Sequence, residues 1–272
     1  MKTILAPTDF SDIANNAVEY AVALAAKTNT RIILFHCFHV PVIAGDAPVV
    51  TIPFDELEKD SLETLNLKKA ELEKKYPSVK IEVVSKVGFA AEEINEYSQT
   101  NPVDLIVMGI SGSGKIDQLL GSTATSVSQK SKTPVLIIPG SAKFAELANV
   151  IVAFDFKEID DTNSINIIIE LAKQFKSRVT ALNVRQEHQK LSLESSLSAK
   201  QANTLLAEVP HRMVNFVDSD TIHGIDHYLK GHDVDLLVMI KRKHGFFGQL
   251  FNSSNTRKMA FHTHIPLLIL HE

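Results

Sequence analysis

The chain has 272 residues, with 28 Lys or Arg against 32 Asp or Glu and a formal net charge of −4, so no chain-wide positive field would draw it to nucleic acid or an anionic membrane. A hydrophobic content of 44% with 22% charged residues fits a packed globular protein and argues against a disordered or fibrous one. No run reaches the roughly 18–20 apolar residues of a bilayer span, and the few apolar residues before Pro7 and Asp9 are too short a run for a secretory signal.

Cys37, the one cysteine, cannot form an internal disulfide and fits a reducing compartment, so a cytoplasmic protein is expected. TILAP at residues 3–7 and RIILFHCF at 31–38 are short β-branched, apolar runs, the pattern of strands buried on both faces of a parallel sheet. Between them Ala14, Ala17, Val18, Ala21, Val22 and Ala25 follow helical spacing, with Ser11 or Asp12 as the cap. FDELEKDSLETLNLKKAELEKKY then reads as a charged amphipathic helix, VKIEVVSKV as a strand and AAEEINEYSQT as a helix. DLIVMG is a strand, GSTATSVSQKS a helix and PVLIIP a strand.

Five strands alternating with four helices imply an α/β fold, a doubly wound parallel sheet with right-handed crossovers. In the common 3-2-1-4-5 order a ligand sits beyond the carboxyl ends of the strands, between the first and the fourth. The two loops there start at Pro7 and at Gly109.

The whole pattern occurs twice. TILAPTDF is echoed by VIVAFDF at 150–156, pairing Asp9 with Asp155 and Phe10 with Phe156. LAAKTNTRIILFHCF is echoed by LAKQFKSRVTALNV, DLIVM at 104–108 by DLLVM at 235–239, and KTPVLII by HIPLLIL. Four landmarks in one order make a tandem of two homologous five-stranded domains, 1–140 and 149–272, joined near Gly140 to Asn149.

GISGSGKI, starting at Gly109, comes close to a Walker phosphate loop through Gly114 and Lys115. It ends on Ile116, which has no oxygen for magnesium. A different geometry suits these residues: a glycine turn after the fourth strand, then Gly121-Ser122 opening a helix, where bare N–H groups and the helix dipole attract anionic oxygens. The alternative is a tight strand-to-helix connection with Ser122 as an ordinary cap.

In PTDFS at Pro7–Ser11, in MGISG with Met108, Gly109 and Gly112, and in LLGS with Gly121 and Ser122, the chain resembles the universal stress proteins, in their tandem two-domain arrangement and over both halves. The resemblance implies the adenine-nucleotide alpha-hydrolase-like fold and ATP or AMP as ligand, with or without Mg2+, in the first domain. It implies Pro7 and Asp9 at the first strand end, with Asp9 on adenine, and Cys37 lining the adenine pocket. Met108 would end the fourth strand, Gly109 and Gly112 cover ribose and phosphates, and Gly121 and Ser122 hold phosphate. Between Gly112 and Gly121 lie eight residues, where the family pattern has nine.

In the second copy Ile240 stands at the position of Gly109 and Ser253-Ser254 replaces Gly-Ser, so this domain is expected to be degenerate and to leave nucleotide unbound. Lys241, Arg242, Lys243 and His244 form a basic cluster that serves an acidic ligand or is a solvated loop. His262 and His264 lack a third ligand at recognisable spacing, and no metal is assigned. His36 and Cys37 are adjacent on a strand and face opposite ways, which excludes a Cys–His pair. No catalytic residue is assigned. The expectation is a nucleotide-regulated stress protein; a non-nucleotide scaffold or small-ligand module is the alternative, and a slow ATP hydrolase has only Asp117 as candidate base. The resemblance further implies that PVLIIP and IPLLIL pair within one chain as a pseudo-dimer, and exposed edges could add a homodimer.

Overall fold

The computed structural model describes residues 1–39, 54–110, 122–154, 163–185, 200–241 and 264–271. In the first half β1 (Thr3–Pro7), β2 (Arg31–Phe38), β3 (Ile81–Val87), β4 (Leu105–Ile110) and β5 (Val135–Pro139) alternate with α1 (Asp12–Thr28), α2 (Phe54–Lys75), α3 (Ala90–Thr100) and α4 (Ser122–Lys130). The second half holds β6 (Asn149–Phe154), α5 (Asn163–Phe175), β7 (Arg178–Arg185) and a helical segment α6 at 200–205. It continues through β8 (His211–Val217), α7 (Thr221–Lys230), β9 (Leu236–Lys241) and β10 (Leu267–His271).

All ten strands form one sheet in the order β3-β2-β1-β4-β5-β10-β9-β6-β7-β8. Each half has the expected 3-2-1-4-5 order, and the halves meet where β10 pairs antiparallel with β5, Leu268 opposite Leu136. Side chains alternate across the sheet and feed two buried layers. One contains Ala17, Val18, Leu34, Val107, Val152, Leu171 and Val238, and so runs through both halves. The other contains Leu5, Phe35, Ile106, Ile137, Ile151 and Met239.

Local chemistry repeats between the halves. Ser11 is the cap of α1, its Oγ accepting from the Ala14 N–H at 3.2 Å. Asn29 closes α1 at φ +52°, and Lys176 takes the same φ after α5. The next residues, Thr30 and Ser177, donate back to the carbonyls of Ala25 and Ala172. Asp104 Oδ2 accepts from the N–H groups of Lys2 and Thr3, as Asp235 Oδ2 does from Asn149, so the aspartate of DLIVM and DLLVM ties down the first strand of each half.

The connection between halves is packed. Ala142 and Leu147 are buried, Asn16 Nδ2 donates to the carbonyls of Pro139 and Ala142, and the Phe144 ring stands against Tyr20 of α1 and Phe175 of α5.

Candidate functional site

β1 lies between β2 and β4, with Pro7 paired to Phe35 and Leu5 to Ile106. The chain leaves β1 towards β2 and β3, then returns to β4 on the other side. The strand order therefore reverses between β1 and β4, and a crevice opens at their carboxyl ends.

The turn after β1 is tightly held. Thr8 N–H donates to the Phe35 carbonyl at 2.8 Å, Phe10 N–H to Thr8 Oγ1 at 3.0 Å and Ser11 N–H to Asp9 Oδ1 at 3.0 Å. These bonds hold Phe10 at φ +62°, a left-handed conformation costly for a bulky residue and concentrated at functional sites. The Phe10 ring lies 4.7 Å from that of His36, whose Nδ1 donates to the Thr8 carbonyl at 2.7 Å. The Asp9 carboxylate faces solvent.

Cys37 points to the other face of β2, as strand alternation requires, and its Sγ donates to the Gly88 carbonyl at 3.2 Å. Burial first, then the negative field of Glu93, pushes this thiol up to about 11. Met108 is buried in the second layer. Gly109 has a packing reason of its own, since a Cβ there would lie 2.6 Å from the carbonyl oxygen of Ile13; α1 reaches β4 only because the side chain is missing. Ser122 is exposed at the first position of α4.

Pro7, Asp9, Cys37, Met108 and Gly109 thus share one end of the sheet, and α4 starts from that end. Gly112 and Gly121 lie outside the described residues, as do Gly114, Lys115, Ile116 and Asp117. Two cavities lie elsewhere, one of about 410 Å³ at the amino ends of β1 and β2 and one of about 450 Å³ beside α1. Three of its charged side chains are already engaged, Arg31 and Lys80 with Glu82 and Asp104 with main-chain N–H groups. Neither is at the strand ends where doubly wound sheets bind ligands.

The profile of the universal stress protein family matches residues 1–139 and 147–271. The chain belongs to the universal stress protein family. Universal stress protein MJ0577 of Methanocaldococcus jannaschii is 30% identical over 152 residues, 50% of this chain and 94% of that protein. Universal stress protein YxiE of Bacillus subtilis is 32% identical over 146 residues, 50% of this chain and 97% of that protein. A universal stress protein from Archaeoglobus fulgidus shares the fold across 99% of this chain and 98% of its own, with a TM-score of 0.76 at 19% identity. The two matched segments coincide with the two halves of the sheet.

In the second half of this universal stress protein, Ile240 at the place of Gly109 is buried. Asp155, Phe156, 242–244, Ser253, Ser254 and His262 lie outside the described residues. His264 Nδ1 is within 3.0 Å of Ser141 Oγ. Among the described residues, no helix is long and apolar enough to cross a membrane.

Proposed function

We propose that the first half of this cytoplasmic universal stress protein binds ATP or AMP as a regulatory ligand, and that the second half is a degenerate, mainly structural partner. What carries this reading is the meeting of the PTDFS turn with Met108-Gly109 at the strand-order reversal, where α4 begins with Ser122.

Asp9 can accept a hydrogen bond from the amino group of adenine, because an ionised carboxylate offers only acceptors and this one is exposed. Cys37 supplies a neutral wall. Gly109 and Gly112 leave room for ribose and phosphate, while Gly121, Ser122 and the free N–H groups of the first turn of α4 suit anionic phosphate oxygens. Magnesium, when present, would neutralise phosphate charge. Binding that favours one conformation over another makes the nucleotide a signal.

Calorimetry with ATP and AMP, with and without Mg2+, tests the reading. Heat of binding is expected in the native protein and none in Gly121→Val, whose melting temperature should stay unchanged. No heat with either nucleotide at high protein concentration would refute it.

A scaffold or small-ligand module is a second reading, favoured by two observations: Gly109 is already required by the approach of Ile13, and the loop is one residue short of the family pattern. Nucleotide carried through purification, seen by ultraviolet absorbance in a chain without tryptophan, separates the two.

A further inference from the structure

We propose that Asp218, His223 and His227, at the outer rim of the second half, form a binding site for one divalent transition cation of the zinc type. The site is remote in sequence from the crevice between β1 and β4 and independent of any nucleotide.

His223 and His227 are one helical turn apart on α7 and so project from one face. The helix start is fixed by Asp220, whose Oδ1 accepts from the N–H groups of Ile222 and His223 at 2.8 and 2.9 Å. Gly224 brings the helix down onto the sheet: a Cβ there would sit 2.4 Å from Val184 Cγ1 and 2.9 Å from Asp218 Cβ. The consequence is that both imidazoles close on the carboxylate following β8. Asp218 Oδ1 lies 2.6 Å from His223 Nδ1 and Oδ2 lies 3.1 Å from His227 Nδ1, and one donor atom from each residue falls within 4.8 Å of the other two.

Zinc–nitrogen and zinc–oxygen bonds of about 2.0–2.2 Å set ligand atoms roughly 3.2–3.6 Å apart in a tetrahedron. Small rotations of exposed rings would reach that geometry. The Asp218 side chain is only 9% exposed against 63% for each histidine, so the carboxylate forms the floor and the open side is left for water. Ser219 N–H and Oγ hold Oδ1 from behind at 2.6 and 3.1 Å, and the His227 ring stands edge-on to Phe216 at 5.4 Å. Two imidazoles with one carboxylate suit zinc and its first-row neighbours better than calcium or magnesium, which take all-oxygen sites.

Proton balance permits the exchange. A carboxylate only accepts, so each Nδ1 now carries the bonding proton. A bound cation takes the Nδ1 lone pair, so the Nδ1 proton must leave: a neutral ring takes it up again at Nε2, which bonds to no other described residue, and a doubly protonated ring releases one proton to solvent. The Asp218 carboxylate accepts from both imidazoles and so turns to the site the acceptor oxygens that suit a dication. Asp226 is paired with Lys230 and Asp220 is spent on the helix cap, which leaves three protein ligands.

Titration of the metal-stripped, nucleotide-free 272-residue chain with Zn2+ by calorimetry tests the site. A single equivalent is expected to bind, and His223→Ala, His227→Ala and Asp218→Asn should each weaken it by at least about tenfold, the loss that follows removal of even an outer-sphere partner. The exposed histidines make the alanine variants safe for folding, which circular dichroism checks. Nitrogen NMR should show the Nδ1 resonances of His223 and His227 moving as Zn2+ is added. Absence of binding, undiminished affinity in the His223→Ala/His227→Ala double variant, or shifts confined to other histidines would overturn the proposal.

Discussion

Gly109 and Gly140 both lie near Ile13, yet only one is closely confined. A Cβ on Gly109 would meet main-chain atoms at 2.6 Å, whereas one on Gly140 would lie 3.8 Å from the Ile13 side chain. Gly109→Ala should therefore cost about 1–3 kcal/mol by forcing the backbone apart, and Gly140→Ala should cost little; urea melts of the two variants measure the difference. At Cys37, the thiol pushed up to about 11 should react with iodoacetamide about a hundredfold more slowly at pH 8 in the folded than in the unfolded chain, because the thiolate is the nucleophile. The rate should climb with pH until the thiol titrates, and saturating ATP should slow it further if Cys37 lines the pocket. The glycines and PTDFS are legible through the family resemblance that their spacing carries. The reason for Gly109 is not, since nothing local says that Ile13 packs against it. The positive φ of Phe10 is likewise invisible in a run without glycine. Asp218, His223 and His227 were missed for a similar reason: an H-x3-H pair on a helix gains its third ligand from a strand end only through the close approach at Gly224.

Strands buried on both faces announce themselves as continuous apolar runs, which makes β1, β2, β4 and β5 legible, while β3, with Glu82, Ser85 and Lys86, is read from β-branched residues between two helices and the strand order from the common doubly wound pattern. The repeat then carries the second half. What the repeated landmarks do is less legible. The aspartates of DLIVM and DLLVM look like site residues by their recurrence, yet they lie at the amino ends of β4 and β9, opposite the crevice, and bind main-chain N–H groups. Asp104 accepts two such bonds, at 2.7 and 2.8 Å, and Asp235 one at 2.8 Å. Asp104→Ala should thus destabilise the protein by about 1–2 kcal/mol, reduced from the buried-site value by its exposure, with a smaller loss for Asp235→Ala. Nucleotide affinity should be unchanged in both, and a loss of affinity without a loss of stability would mean that these residues do more than anchor strands.

The junction of β5 with β10 turns two domains into one sheet. Leu136, Ile137, Leu267 and Leu268 at this seam are each 3% exposed or less, one buried layer continues across it, and Phe144 and the strapped connection reinforce it. At the outer ends β3 carries Glu82 and Lys86, and β8 carries Arg212, charged residues that blunt edge pairing. Physical chemistry thus disfavours extension of the described sheet beyond β3 and β8. Residues 1–146 expressed alone would present β5 as a bare apolar edge, with the main-chain groups that β10 satisfies left open. That half is expected to dimerise through β5 or to aggregate, and sedimentation velocity at matched concentrations measures it. A half that sedimented as a stable monomer would show that the seam contributes little, and with it would go the view of the second half as a built-in dimer partner. Adding Leu136→Lys to the isolated half provides the control, since a charge at the seam should suppress dimerisation through β5 while leaving association by any other surface intact.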